Sequence, residues 1–167
     1  MAKFLASLTT LCYIERDGKY LMLHRVKKEH DINKDKWIGV GGHFERDESP
    51  DECLRREVLE ETGCTLDHTE LRGIVTFVSG DGVTEYMFLY TASGLNGTLI
   101  DCDEGEFAWI DRSAVYDLDI WEGDKIFLRL LEERRSFFSL KLVYDGNEEL
   151  VSAILDGQPI KQPHPHS

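Results

Sequence analysis

Two runs rich in Leu, Thr, Tyr and Ile open the chain. Residues 8–14 and 20–24 are two β-type runs joined by Glu15-Arg16-Asp17-Gly18-Lys19, whose Asp-Gly pair supplies the positive φ of a hairpin turn. Residues 26–36 are charged and without periodicity, which predicts an exposed loop. Trp37-Ile38-Gly39-Val40-Gly41-Gly42 reads as a short strand running into a glycine loop. Residues 71–79 and 83–92 are strong strands, and Ser79-Gly80-Asp81-Gly82 makes them a second hairpin. A further strand is expected at 106–110. Over 124–135, Ile126, Phe127, Leu130 and Leu131 stand at helical spacing with polar residues opposite, an amphipathic helix. Residues 137–144 alternate, Asp145-Gly146-Asn147 turns, and 150–155 is a closing strand. The proline-bearing segment 158–167 has nothing to bury and is expected to be a disordered tail, with His164-Pro165-His166 at most a weak metal binder. With neither a repeat nor a linker in the chain, a single mixed α/β domain over residues 1–157 is the expectation.

Composition narrows the function. Of 167 residues 41% are hydrophobic, enough for a real core and against bulk disorder. The 19 Lys and Arg against 32 Asp and Glu leave a net charge of −13. That excess disfavours binding nucleic-acid polymers through a basic face, and docking on an anionic membrane. The plain reading of the charge is a soluble surface. Cys12, Cys53, Cys64 and Cys102 are scattered without zinc-like spacing and read as small buried side chains in a reducing compartment. With no typical secretory signal and no bilayer-length apolar run, a cytoplasmic location is expected.

One segment concentrates chemistry. Ser49-Pro50-Asp51-Glu52 has the form of a capping box with proline at the first helical position. Gly63 is the natural left-handed stop, so a helix over Pro50–Thr62 is bounded by residue chemistry at both ends. Glu57, Glu60 and Glu61 stand at i, i+3 and i+4, within an arc of roughly 100° on the helix wheel. Leu54 and Val58 border that arc, so the acidic face adjoins core. Arg55 and Arg56 offset part of the repulsion, and a divalent cation with oxygen ligands is the stronger counter-charge. Ahead of the helix, Gly41 and Gly42 admit close approach of a phosphate chain, and Glu48 can brace the loop.

Gly42, Glu48, Arg56, Glu57, Val58, Glu60, Glu61 and Gly63 stand at the spacing of the Nudix box, G-x5-E-x7-R-E-U-x-E-E-x-G-U, where U is aliphatic. The chain resembles the Nudix hydrolase family, departing only at the last position, where Cys64 replaces an aliphatic residue. The resemblance implies an α/β/α sandwich around a mixed β-sheet, and hydrolysis of a nucleoside diphosphate linkage with Mg²⁺ or Mn²⁺. It implies that Glu57, Glu60 and Glu61 hold metal or activate water, with Gly42 in the metal set, and that Arg56 orients a glutamate. Glu104 stands where relatives place a further metal-site carboxylate, with Asp103 and Glu106 close by in sequence. Glu48 and Gly63 shape the loops.

Within the family, Trp37-x-Gly-x-Gly-Gly and Ile120-Trp121-Glu122-Gly123-Asp124 are similar to the MutT-type enzymes. Those cleave oxidised purine nucleoside triphosphates such as 8-oxo-dGTP to monophosphate and pyrophosphate, which sanitises the nucleotide pool and serves DNA repair. The likeness puts Trp121 against the base, Asp124 on its hydrogen-bonding edge and Phe77 on the other wall. The bland alternatives are a core tryptophan and a helix-start acid. His43 is either a phosphate contact or an exposed loop histidine, and Arg25 either meets the triphosphate or is a surface charge. Ile38 replaces a base-contacting Asn of the animal enzymes, and Gly123 one of their two acids. Two alternatives stand beside this reading. One is a Nudix pyrophosphatase for ADP-ribose or a dinucleoside polyphosphate, against which Gly80-Asp81-Gly82 replaces a Pro or Tyr usual in those groups. The other is a non-catalytic Nudix-fold nucleotide-binding regulator, which usually lacks box carboxylates that are all present here. The expected partner is a small nucleotide, with neither polymer nor membrane, and with a monomer and a homodimer both open.

Overall fold

Ten strands and two helices follow one another through residues 4–161, the residues described by the computed structural model. The order is β1 (Ser7–Arg16), β2 (Lys19–His24), β3 (Trp37–Ile38), β4 (Val40–His43), α1 (Pro50–Thr62), β5 (Thr65–Val78) and β6 (Thr84–Asn96). β7 (Glu106–Asp111), a single 3₁₀ turn at Val115–Asp117, α2 (Glu122–Glu132), β8 (Phe138–Tyr144), β9 (Leu150–Leu155) and β10 (Gln158–Lys161) complete it. All strands join one mixed sheet in the order β10-β9-β8-β5-β6-β1-β2-β3, with β4 added to β1 and β7 to β2. β1–β6 and β5–β8 are parallel pairs and the remaining pairs antiparallel.

Strand alternation divides the core in two. Leu11 and Tyr13 of β1 pack with Phe127, Leu128 and Leu131 of α2, whereas Cys12 and Ile14 pack with Leu54 and Val58 of α1. Successive side chains of a strand point to opposite faces, so one helix covers each face and the expected α/β/α sandwich results. All four cysteines are free and buried. No helix among the described residues is long and apolar enough to cross a membrane.

Several expectations need correction. Gly41 and Gly42 are not a loop but lie in β4, paired with Leu11 and Thr10. A Cβ on Gly41 would lie 1.9 Å from the Thr10 carbonyl oxygen, so only glycine lets β4 approach β1 this closely. β5 and β6 extend beyond the expected hairpin to a polar ribbon in which Thr65 pairs with Asn96. That stretch is held by ladder hydrogen bonds and is too exposed to show an apolar phase. α2 begins at Glu122, after Trp121 at its N-cap, and ends before the expected Arg135. The expected tail is a strand over its first residues: Gln158–Lys161 pairs with β9 as β10. The rest of it, including His164-Pro165-His166, lies outside the described residues.

α1 is bounded as its sequence dictates. The Ser49 hydroxyl accepts from the Glu52 N–H, the Glu52 carboxylate accepts from the Ser49 N–H, and Gly63 closes the helix at φ 74°. A Cβ on Gly63 would sit 2.8 Å from the Ile100 side chain. Ser49→Ala is expected to cost about 1 kcal/mol by urea unfolding. Gly63→Ala, which adds that clash to a positive φ, is expected to cost more.

Candidate active site

The sheet and α1 bring the box glutamates to one end of a cleft of about 530 Å³. Glu57 and Glu61, one helical turn apart, line it together with Gly41, Gly42 and Glu104. Gly42 is required by proximity: a Cβ there would lie 2.5 Å from the Glu57 carboxyl carbon. Glu60 belongs to a different environment. Its side chain is 57% exposed against 15% for Glu57, and it does not line the cleft. The shared face expected of the three glutamates is therefore divided, two facing the cleft and one at its rim.

Arg56 ties these acids to the preceding loop. Its guanidinium donates to both Glu48 oxygens at 2.7 and 2.9 Å, to Glu57 at 2.8 Å, to Glu60 at 3.1 Å and to the His43 carbonyl at 2.9 Å. Charge-assisted, partly bidentate bonds of this kind fix geometry as well as charge. Glu48 is thereby held below the usual carboxylate range, and it also accepts from the Glu45 N–H at 2.7 Å. Burial raises Glu57 in spite of the same arginine. Glu61 is raised well above the usual range by burial, by the charges of Glu104 and Glu57, and by a hydrogen bond to Glu104. Among the described residues its Oε2 is buried without a hydrogen-bond partner.

Arg25 is no free surface charge. It donates from Nε to Asp31 at 2.7 Å and from Nη1 to Glu104, so it sets the outer carboxylate of the cleft. Lys28 reaches the other Glu104 oxygen at 3.3 Å. His43 is exposed but does line the cleft, so the two options for it stand together.

The other end of the same cleft is aromatic. Trp121 and Phe77 line it, with Ile38 and Met87. Trp121 donates its Nε1–H to the Asn33 side-chain oxygen at 2.8 Å and meets Tyr144 edge-on at 5.5 Å, while Phe77 stacks against Tyr144 at 6.5 Å. Asp124 is buried at the start of α2 and has no side-chain hydrogen-bond partner among the described residues. Burial is the main cause that pushes its carboxyl up to about 8, against the pull of Lys36 and with a small push from Glu85. The Gly123 departure has a steric reason: a Cβ there would lie 2.5 Å from Leu142 and 2.6 Å from the Tyr144 hydroxyl, which accepts from the Gly123 N–H at 2.9 Å.

Sequence reasoning missed Asp31, Asn33 and Glu85. Asp31 and Asn33 carried one local signal, an Asp two residues before an Asn, and the Asp31 carboxylate accepts the Asn33 N–H at 3.0 Å. Glu85 carried another, because it breaks the apolar phase of its strand at Glu85, Met87 and Leu89.

The residues fit a divalent cation. Glu61 leaves a buried oxygen without a partner, the carboxylates repel one another, and Gly42 keeps the space beside Glu57 open. No group of three or more His, Cys, Asp or Glu among the described residues is already arranged to hold a metal ion. Mg²⁺ tolerates such a site, since it is commonly held by one or two carboxylates together with water and substrate oxygens.

Residues 7–131 match the NUDIX domain. An uncharacterised Nudix hydrolase of Bacillus subtilis, YvcI, is 30% identical over 157 residues, 91% of this chain and 96% of that protein. The oxidized purine nucleoside triphosphate hydrolase of Danio rerio is 27% identical over 92% of this chain and 96% of its own. A MutT protein from Bacillus halodurans superposes with a TM-score of 0.79 at 27% identity, over 92% of this chain and 99% of its own. Enzymes of this family are typically dependent on divalent metal. With every box position but the last met, and its helix lining the cleft, the chain belongs to the Nudix family and is a Nudix hydrolase.

Proposed function

We propose that the protein hydrolyses an oxidised purine nucleoside triphosphate, such as 8-oxo-dGTP, to the monophosphate and pyrophosphate, and so sanitises the nucleotide pool. The observation that carries this reading is the continuity of one cleft from the box carboxylates to the Trp121–Phe77 walls. An acidic end suits metal-bound phosphates, and flat aromatic walls suit a purine. The relatives named for that activity support it.

In this reading Glu57, Glu61 and Glu104, with the backbone of Gly42, hold Mg²⁺ or Mn²⁺, and Glu60 joins from the rim beside Arg56. The bound cation supplies charge neutralisation on the diphosphate oxygens and lowers the pKa of a water. Arg56 keeps Glu57 ionised against its burial and positions it through Glu48. Arg25 positions Glu104. Water adds to one phosphorus of the α–β linkage, its proton passes to a box carboxylate and on to solvent, the bridging P–O bond breaks, and nucleoside monophosphate and pyrophosphate are the products. Trp121 and Phe77 sandwich the base, and a neutral Asp124 both donates to and accepts from its edge.

Pyrophosphate release from a panel of normal and oxidised nucleoside triphosphates, with ADP-ribose and a dinucleoside polyphosphate as further arms, tests the reading. A preference for 8-oxo-dGTP over dGTP is expected, and it should shrink in Trp121→Ala. No preference in the wild type overturns the assignment.

Glu61→Gln is expected to lower kcat by roughly 10²–10⁴-fold. Mg²⁺ should raise the melting temperature of the wild type, by mass action on the folded state, and this shift should be lost in the variant. Equal Mg²⁺ shifts in the two proteins would remove Glu61 from the metal set.

Asp124 yields a pH signature. Its ordinary pKa of 3.8 is raised to about 8 in the fold, so between those values the unfolded chain ionises while the folded one holds the proton. The group therefore draws stability down as pH rises from about 4 to about 8, with no further loss above. Asp124→Asn is expected to melt higher than the wild type, by a margin that grows over that interval and then levels off. Thermal melts of metal-free protein from pH 4 to 9 measure it.

A further inference from the structure

Strand alternation assigns Glu85 to the wrong chemical class for its position. In β6 the residues at i, i+2 and i+4 are Glu85, Met87 and Leu89, and the latter two are buried in the core beneath α2. The pairing register sets Phe77 directly opposite Glu85 on β5 and Ser7 opposite it on β1. In such a pair the two side chains share a face. Glu85 therefore projects to the same side of the sheet as Phe77 and Met87, and it lines the cleft with Trp121 and Asp124. A carboxylate on the apolar phase of a central strand costs stability. Places where sequence patterning is broken without structural gain are expected to be functional.

The groups facing Glu85 explain little of its presence. Thr9 lies nearby with its Oγ1 unpaired among the described residues, His43 is a more distant charge, and no arginine or lysine among those residues pairs with it. Burial holds its carboxyl above the usual range, and its charge in turn adds to the raised pKa of Asp124. Two carboxyls thus look into one partly water-excluded pocket that Trp121, Phe77 and Met87 also line; among the described residues Lys36 alone pulls on Asp124, and no arginine or lysine pairs with Glu85. Two such groups offer several acceptor positions and at most one or two protons.

We propose that Glu85 is a specificity-determining residue for the base: it accepts from an N–H donor that Asp124 leaves unpaired, so the site selects purines carrying adjacent ring N–H and exocyclic amino donors. A guanine-type edge has that pattern. A hypoxanthine-type edge lacks the amino group, and its binding would strand a buried acceptor without a donor. Sites built around such pairing reject the analogue that lacks the donor far better than an apolar pocket rejects an extra group. The inference rests on the purine triphosphate reading above and deepens it.

The experiment compares guanine-type with hypoxanthine-type substrates, dGTP with dITP and their 8-oxo forms, in the wild type, Glu85→Gln and Glu85→Met. The wild type is expected to favour the guanine type in kcat/KM by about tenfold or more. Glu85→Met should reduce that ratio to near unity, and Glu85→Gln should lower it in part. Quenching of tryptophan fluorescence by dGMP and dIMP without metal gives the same comparison as an equilibrium, independent of turnover. Glu85→Met restores the apolar phase and is expected to melt no lower than the wild type, which a structural role for Glu85 would not allow. An unchanged base preference in a folded Glu85→Met, or a lowered melting temperature with that preference intact, overturns the assignment of Glu85 alone. Absence of pyrophosphate release from every purine triphosphate in the wild type overturns the reading on which it rests.

Discussion

Carboxylates brought out of water repel one another and resist ionisation, and the placement of Glu57, Glu61 and Glu104 around one end of a cleft is governed by that fact. Two arginines make the arrangement tenable. Arg56 gathers Glu48, Glu57, Glu60 and the His43 carbonyl around a single guanidinium, and Arg25 holds Glu104 and Asp31. Neither cation reaches the buried Glu61 oxygen, which is left without a partner. The fold thus compensates its acids unequally. Glu48 is fully answered, Glu57 partly, and Glu61 least of all. The incomplete neutralisation is what would leave a divalent cation something to do. An acid set fully matched by arginines would have no affinity to spare.

The rest of the architecture serves that placement. Capped at both ends, α1 has a fixed length and phase, so Glu57 and Glu61 face β4 while Leu54 and Val58 face the core. β4 is built from glycines because β1 lies on one side of it and Glu57 on the other. Across the sheet, α2 buries Phe127 and Leu128 and carries Asp124 at its start. The aromatic end of the cleft therefore depends on a different core from the acidic end.

Much of this was legible in the chain. Ser49, Pro50, Glu52 and Gly63 state the helix limits in local chemistry, and the box spacing states which face its acids take. Three kinds of information were not local. The glycines of β4 look like a loop because the reason for them, the Thr10 carbonyl and the Glu57 carboxyl, comes from strands and helices elsewhere. The polar halves of β5 and β6 show no phase because ladder bonds, not burial, hold them. β10 was hidden by its proline and polar residues, which an edge strand accepts and a central one does not. The division of the glutamates also escaped the helix wheel. An arc near 100° describes directions, whereas the exposure of Glu60 depends on where Arg56 is held by Glu48.

The loop between β2 and β3 connects what the two cores keep apart. Asp31 accepts from Arg25, which in turn fixes Glu104 at the acidic end, and two residues later Asn33 accepts from Trp121 at the aromatic end. The Asp31 carboxylate also accepts the Asn33 N–H, so the two positions are parts of one turn. Lys36 extends the same loop over the Trp121 ring at 4.9 Å and pairs with Asp119 at 2.7 Å. A displacement of Trp121 must be carried by Asn33, and through that turn to Asp31 and its arginine. Hydrogen bonds of this kind have narrow ranges of good geometry. The setting of Glu104 therefore depends on where Trp121 sits, and a charged, aperiodic segment with no core of its own becomes the element through which the two ends of the cleft constrain each other.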